Sequence, residues 1–378
     1  MHPKVLIAGA GIGGLTTALA LHGRGIASTT LERTAVLRPL GAGINLLPHA
    51  VRELSDLGLG AALRDIAVAP DSIGFYADSG ELLFREPRGH AAGDGHPQLS
   101  VHRGRLQMML FDAVTDRLGA SAVRTGAGVA GFDENADGVS VRTTAGTFTG
   151  DALIGADGIG SVVRRALHPG PDALLWSGIT MFRGVARIPA FLDGHTMAIA
   201  QGANGIDLVT YPIGDGLVNW VLQVPEGTPG PLAGDAQWNA PATAAEIRRH
   251  VARWTLDWLD PAALIEATEQ IFRYPMVDRD PLPHWGTGRV TLLGDAAHPM
   301  YPVGANGGSQ SIVDARVLAD EYAADGIAGL HRYARQRRGE TAEVIAANRD
   351  MHRTSGRTPA DLDRITTKYR NDTARSNR

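Results

Sequence analysis

Residues 4–32 read KVLIAGAGIGGLTTALALHGRGIASTTLE. An apolar strand, KVLIA, meets a glycine-studded turn running from Gly9 to Gly14. A helix-forming stretch follows, and a second strand closes on Glu32. Strand, turn, helix and strand within about thirty residues is the setting that a dinucleotide-binding turn requires. Gly9 permits the tight turn, Gly11 lets backbone approach a pyrophosphate, and Gly14 allows helix and strand to pack closely; Gly13 completes the run. The helix N-terminus then offers N–H groups and partial positive charge to phosphate. Glu32 is placed to accept hydrogen bonds from an adenosine ribose with free hydroxyls, as in FAD or NAD. In isolation the six residues would be only a glycine-rich turn. The flanking strands and the acid favour a nucleotide, without saying which.

The chain has 378 residues, 44% of them hydrophobic and 20% charged, with a formal net charge of -4. That length allows two or three domains and a large core. The charge balance gives no basic stripe of the kind nucleic acid requires, so no nucleic-acid partner is expected. Without cysteine there are no disulfides, no thiol catalysis and no Cys-ligated metal, and no metal site is expected. No stretch is long and apolar enough to span a bilayer. The glycines of the first turn interrupt any signal helix. The expected location is the cytoplasm, with no membrane partner.

Further along, AVRELSDLGLGAALRDI predicts a helix over 50–70, and IGFYADSGELLFRE predicts a hairpin turning at Asp78-Ser79-Gly80. HRGRLQMMLFDAVTDRLG predicts a helix over 102–119 with a stripe of Leu106, Met109, Leu110, Val114 and Leu118. GVSVRTTAGTFTGD predicts a second hairpin at Ala145-Gly146. Short alternating runs over 173–275 predict a mostly antiparallel sheet. The α/β texture returns at GRVTLLGDAAH, followed by a long helical stretch from about 312 to 350. The last 25 or so residues are polar and weakly periodic, consistent with a short helix or a tail.

Two further stretches carry chemistry. GADGIGSVVR (155–164) is a strand end whose Asp157 could simply cap the following helix. GDAAHPMYPVGANGGSQ (294–310) ends a buried-looking strand in Asp295, then enters a loop nearly free of charge. Alone, that loop would pass for a helix cap in a connection.

GAGIGG with Glu32, GADGIGSVVR and LLGDAAHPMYPVGANGGSQ, in this order and spacing, resemble the three motifs of the single-component FAD-dependent aromatic hydroxylases. The resemblance reaches to about residue 350. RPLGAGINLLPHA, EPRG, HRGRLQ, GITMFRGV and YPMVDRDPLPHWG are similar to a narrower group, the phenazine-carboxylate monooxygenases of pyocyanin biosynthesis. Salicylate and 3-hydroxybenzoate hydroxylases are more distant relatives. The resemblance implies an α/β fold: a Rossmann-like, glutathione-reductase-like FAD-binding domain with an inserted β-sheet substrate domain. The former would comprise 1–72, 101–172 and 276–350, and the latter 73–100 and 173–275. Residues 351–378 would form a terminal helix or tail.

It also implies cofactor contacts. Asp295 would bind the ribityl chain, while Pro302, Gly304, Asn306 and Gly307 would lead into a helix whose N–H groups face the flavin's pyrimidine edge. An N–H-rich helix start suits the anion that reduced flavin becomes. Asp157 maps to an element linked to FAD and nicotinamide use. Arg103 would reach the ribityl or phosphate region, with Arg105 as its competitor. Arg33, Arg38 and the GAGIN loop with Gly43 would lie along the cofactor.

The implied reaction is NAD(P)H-dependent monooxygenation of an aromatic or heteroaromatic acid through a C4a-hydroperoxyflavin, with or without loss of CO2. NADH and NADPH stay unresolved, as does monomer against homodimer. No second nucleotide-binding turn is present, so the nicotinamide would bind transiently. Pocket candidates are Met181, Arg183, Tyr211, Trp220 and Val303, each with a packing or surface role as its plainer reading. Some benzoate hydroxylases place a His before the equivalent Tyr-Pro; here Thr210 stands there, which weakens phenolate activation. His298 reads as structural. Two other readings stay open: different flavin chemistry, such as an epoxidase or reductase, and a non-catalytic FAD-fold binding protein.

Overall fold

The computed structural model describes residues 4–232, 240–353 and 358–373. At its centre lies a parallel sheet in the order Val290–Leu292, Ala152–Gly155, Lys4–Ala8, Ala27–Leu31, Val123–Arg124, with Gly286–Thr287 antiparallel at one edge. Val5, Leu6, Ile7 and Ala8 are all buried, as expected of a strand covered on both faces. The helix Ile12–His22 is buried nearly all round, wedged between this sheet and the long C-terminal helical stretch.

A nine-stranded sheet forms the second layer. Its main path runs Ala240–Ala242, Ile271–Asp278, Leu175–Arg187, Leu217–Pro225, Asp207–Pro212, Thr196–Gln201, Ser72–Ala77, Leu82–Pro87. The expected hairpin at Asp78–Gly80 supplies the last two strands, with Gly80 at φ +88. The pairing is antiparallel except where Thr196–Gln201 runs parallel to Ser72–Ala77. Residues 233–239, inside the stretch expected to form this sheet, lie outside the described residues.

The two faces of this sheet have different neighbours. On one, Phe182, Leu208, Trp220 and Leu222 pack against Ile247, Val251, Leu264 and Ile265 of the helices Ala244–Val251 and Pro261–Glu266. The other carries Met181, Arg183, Tyr211, Asn219 and Tyr274, and it meets the strand Gly43–Leu46. Strand alternation makes the assignment. Arg183 is paired with Val221, and Trp220 with Gly184, so Trp220 points away from Arg183.

The helix expected over 50–70 is instead two, Pro48–Asp56 and Gly60–Asp65. Gly58 stands between them at φ +75, a conformation that ends the first helix. The helix Arg103–Leu118 buries Leu106, Leu110 and Val114, with Met109 and Leu118 packed partly against the core. The hairpin Val139–Thr143/Gly146–Gly150 turns at Gly146 (φ +117) and gains Val129–Glu134 as a third strand.

The stretch Asn306–Arg353 is helical, broken at Asp325 and Gly326 (φ −155 and +51). Its second half returns along the first, so that Arg337 meets both Asp314 and Gln310. A terminal helix, Pro359–Thr373, then packs on it and on strand Leu82–Pro87. Of the expected tail, 354–357 and 374–378 lie outside the described residues.

Candidate active site

The glycine turn has the geometry that its sequence implies. Gly9 sits at φ +98, and a Cβ there would stand 2.5 Å from the carbonyl oxygen of Ala156. A Cβ on Gly14 would overlap the carbonyl oxygen of Gly9, so this glycine sets the closeness of helix and strand. Gly13 does the same toward Leu293, 2.8 Å from where its Cβ would lie. Gly11 differs: a Cβ there would meet nothing within 4 Å, and its backbone (φ −76, ψ −178) suits any residue. Its small size matters only to something placed against the turn. This open cradle at a helix N-terminus is the shape a pyrophosphate requires.

Glu32 is nearly buried at the end of its strand. Oε2 accepts from the Ala10 N–H at 2.8 Å and Oε1 from the Thr34 N–H at 2.7 Å. Each carboxylate oxygen keeps a second lone pair for a ribose hydroxyl. Gln107, from helix Arg103–Leu118, donates to the Ala10 carbonyl at 2.7 Å and ties that helix to the turn. Arg33 is exposed beyond Glu32, its base against Gly128.

The second and third motifs are wired together. Asp157 lies beside Gly9, and its carboxylate accepts from Ser161 Oγ (2.5 Å) and the Val162 N–H (2.7 Å). The side chain therefore caps helix Val162–Leu167. Arg164 of that helix, 1% exposed, donates to the carbonyls of Ala296 and Ala297 at 3.1 and 3.0 Å and pairs with Asp172. The GDAAH turn is also held from its other side. His298 Nε2 lies 2.6 Å from Asp314 Oδ2, Gly294 N–H donates to the same oxygen at 3.0 Å, and Arg337 Nε reaches Oδ1 at 2.7 Å. Although burial raises it, Asp314 is held down to about 2 by His298 and Arg337. Asp295 itself stays exposed at the strand end.

The strand Gly43–Leu46 runs between the large sheet and the start of the long helix. Gly43 N–H donates to Asn219 Oδ1 at 2.6 Å, and its carbonyl accepts from Arg183 Nη2 at 3.0 Å. A Cβ on Gly43 would crowd both Asn219 and Tyr211. On the other side Ile44 packs against Gly308, and Leu47 N–H donates to Ser309 Oγ. The loop Pro302–Gly307 then enters the helix through two left-handed residues, Gly304 (φ +72) and Ala305 (φ +59). Such a conformation costs a non-glycine residue roughly 1 kcal/mol, so neighbouring contacts must hold the loop.

Met181 and Val303 come together in an apolar patch with Ile179, Met276 and Tyr301. Arg183 lies at the polar edge, its guanidinium carbon 5.8 Å from the Tyr274 ring centre and its Nε buried without a hydrogen-bond partner. Burial pushes the Tyr211 phenol up to about 12, against the pull of Arg183. Tyr274 is raised by burial too, against Arg183 and Arg103, so both phenols stay neutral hydrogen-bonding groups. Trp220 is not part of this patch. It is fully buried on the far face, where Nε1 donates to Thr268 Oγ1 at 2.9 Å. Thr210 is buried on that far face too, opposite Trp220. Of the two competing arginines, Arg105 is paired with Asp215, whereas Arg103 is exposed and its charge pulls on the Tyr274 phenol. Arg38 is exposed on the loop before Gly43.

The sequence reading missed Gln107, Arg164, Asn219 and Tyr274. Asn219 and Gly43 are 176 residues apart, and nothing local in either stretch announces the contact. Tyr274 lay within the quoted YPMVDRDPLPHWG, where strand parity with Met181 would have marked it.

The chain belongs to the family described as FAD binding domain, whose model matches residues 2–347. It is 46% identical over 363 residues to the phenazine 1,6-dicarboxylic acid hydroxylase PhzS of Lysobacter antibioticus, covering 92% of this chain and 89% of that one. It is 36% identical to 3-hydroxybenzoate 6-hydroxylase 1 of Aquipseudomonas alcaligenes, covering 92% and 88%. Among solved structures, Klebsiella pneumoniae HpxO complexed with FAD and uric acid superposes with a TM-score of 0.79. That match has 26% identity and covers 98% of this chain and 93% of that one. The protein is therefore an FAD-dependent monooxygenase. Within that class it is an aromatic hydroxylase that draws its electrons from NAD(P)H. No helix among the described residues is long and apolar enough to cross a membrane.

Proposed function

We propose that this enzyme hydroxylates a planar aromatic acid, with phenazine carboxylates as its preferred class and benzoates as the smaller alternative. The observation that carries this reading is Arg183. It reaches across the sheet to the strand beside the cofactor site, with an apolar wall of Met181, Met276 and Val303 next to it. A flat ring against that wall would bring a carboxylate to the guanidinium, which offers planar donors in a fixed fork. Tyr211 and Tyr274, both neutral, complete the polar edge. The 46% identity to a phenazine dicarboxylate hydroxylase supports the larger ring system.

FAD, when bound, accepts hydride from the nicotinamide and activates O2 for insertion into the ring. The protein's part is to bind, orient and exclude water. Gly9, Gly11, Gly13 and Gly14 would take the pyrophosphate, Glu32 the adenosine ribose, and Asp295 the ribityl chain. Arg103, Arg33, Gly43 and the backbone at Asp157 would line the cofactor's length. Pro302, Gly304, Asn306 and Gly307 would present N–H groups to its pyrimidine edge. Residues 1–72, 101–172 and 276–350 would work as the FAD-binding unit, with 73–100 and 173–275 as the substrate unit. Consumption of NAD(P)H and O2 suits a cytoplasmic enzyme, active as a monomer or homodimer.

The test is NAD(P)H oxidation by the purified protein against a panel of phenazine and benzoic acids, with product masses. One acid should speed oxidation at least tenfold and gain one oxygen. A product lighter by CO2 would show that oxygen enters at the carboxylated carbon. Equal rates with every acid and with none would overturn the reading.

A further inference from the structure

The terminal helix Pro359–Thr373 places one side chain on the loop that leads into the long helix. The Tyr369 hydroxyl donates to Asn348 Oδ1 at 2.5 Å and accepts from Asn306 Nδ2 at 2.5 Å. Asn306 is the first residue of the long helical stretch and Asn348 lies near its end; both are fully buried. Asn348 also donates to the Tyr301 carbonyl at 3.1 Å. One phenol thus joins the two ends of a folded-back helical pair to the segment 301–306. It also fits against Gly304, where any Cβ would overlap the phenol oxygen. Gly304 is needed twice: for its left-handed backbone, and to admit Tyr369.

The helix that carries Tyr369 is anchored elsewhere. Leu362 packs on Ile73 and Phe75 of the large sheet, and Arg370 lies 3.4 Å from Glu86 on strand Leu82–Pro87. Its buried residues Leu362, Ile365, Thr366 and Thr373 recur at helical spacing in register with Tyr369. The helix is therefore a strut between the substrate sheet and the loop with two left-handed residues in succession. That loop would be among the first parts of the site to relax if unsupported, because its backbone is strained.

We propose that Tyr369 is a positioning residue for the flavin: by bridging Asn306 and Asn348 it holds the Pro302–Gly307 loop in the conformation that meets the cofactor's pyrimidine edge. This rests on the FAD chemistry and not on the substrate class, so it can fail or stand independently of the phenazine reading. Removing the hydroxyl leaves two buried amide groups without their shared partner and frees the strained loop.

The experiment compares wild type, Tyr369→Phe and, from the far face of the large sheet, Ile247→Ala as holoenzymes. FAD dissociation on dilution is read by flavin fluorescence, together with the flavin midpoint potential and thermal melting. Tyr369→Phe should weaken FAD binding about tenfold, the scale of losing one or two buried hydrogen bonds. The loss should be greater for reduced than for oxidised FAD, read as a negative shift in midpoint potential. Ile247→Ala should lower the melting temperature and leave both flavin readouts unchanged. Wild-type affinity and potential in Tyr369→Phe would overturn the proposal, as would equal flavin effects in the two variants. If Tyr369→Phe does not fold, hydrogen exchange in the wild type decides. FAD should protect 302–308 and 359–373 together, and protection of the loop alone would overturn the assignment.

Discussion

Nε2 of His298 lies 2.6 Å from Oδ2 of Asp314, and both side chains are sealed from solvent. The pair fixes the turn that follows Asp295 to the long helix, and Arg337 closes the arrangement from the other carboxylate oxygen. A buried carboxylate between two such partners is costly to lose, because it leaves Arg337 inadequately compensated.

Asp314→Asn should therefore destabilise the protein by about 3–5 kcal/mol, a fall of about 4–6 °C in melting temperature for a chain of this size. Thermal unfolding of the FAD-free protein measures this. A fall within 2 °C of wild type would show that the network contributes little.

Acid lability should come from His49 and Asp314. Burial, with Arg337 and Arg52 nearby, lowers His49 to about 3, so it folds neutral. Below the ordinary value of 6.5 the unfolded chain binds a proton that the folded one refuses, so stability falls as pH drops from 6.5 toward 3. Asp314, lowered from 3.8 to about 2, adds stability above pH 4 that is lost between about 4 and 2. Urea unfolding from pH 7 to 4 should show midpoints falling with pH, and His49→Leu should flatten the slope. An unchanged slope in His49→Leu would remove His49 from the account.

Gly11 and Gly14 should behave as opposites. Gly11→Ala meets no protein atom within 4 Å of its new Cβ and no backbone strain, so the apoprotein should melt within about 2 °C of wild type. FAD affinity should fall at least 100-fold, since the side chain fills the cradle. Gly14→Ala drives a methyl into the Gly9 carbonyl, and the protein itself should be destabilised by about 2 kcal/mol or more. Calorimetry and FAD titration of the pair separate a ligand-facing glycine from a packing one.

Arg183→Met should raise the KM for an aromatic acid about 100-fold, and Arg183→Lys should not restore it, since an ammonium lacks the planar fork. Trp220→Phe should leave KM unchanged while costing about 1–2 kcal/mol of stability through its lost bond to Thr268. A KM effect from Trp220→Phe as large as that from Arg183→Met would contradict the face assignment.

What could be read from the chain divides by the range of the interactions. Gly14 acts on Gly9, five residues away, so the spacing of the turn already states that role, whereas the contacts of Gly9 with Ala156 and of Gly13 with Leu293 are long-range and were not legible. In LVNWVLQVP alternation sets Trp220 with Val218, Leu222 and Val224 against Asn219 and Gln223; it leaves open which of the two faces meets the flavin layer, and Trp220 was misplaced for that reason. Asn219 and Tyr369 act on partners 176 and 63 residues away, which no local pattern encodes. The terminal helix did leave a signal: Leu362, Ile365, Thr366 and Tyr369 fall at spacings of three and four, muted by the two threonines. Helix 50–70 broke because Gly58 overrode a continuous apolar period.

The most direct test of the monooxygenase account is an oxygen-isotope experiment with the purified holoenzyme, NAD(P)H, a phenazine carboxylate and 18O2. One labelled atom per nicotinamide oxidised should appear in the aromatic product, with none taken from water. Product carrying only solvent oxygen, or NAD(P)H consumed with no labelled product from any aromatic acid, would contradict it.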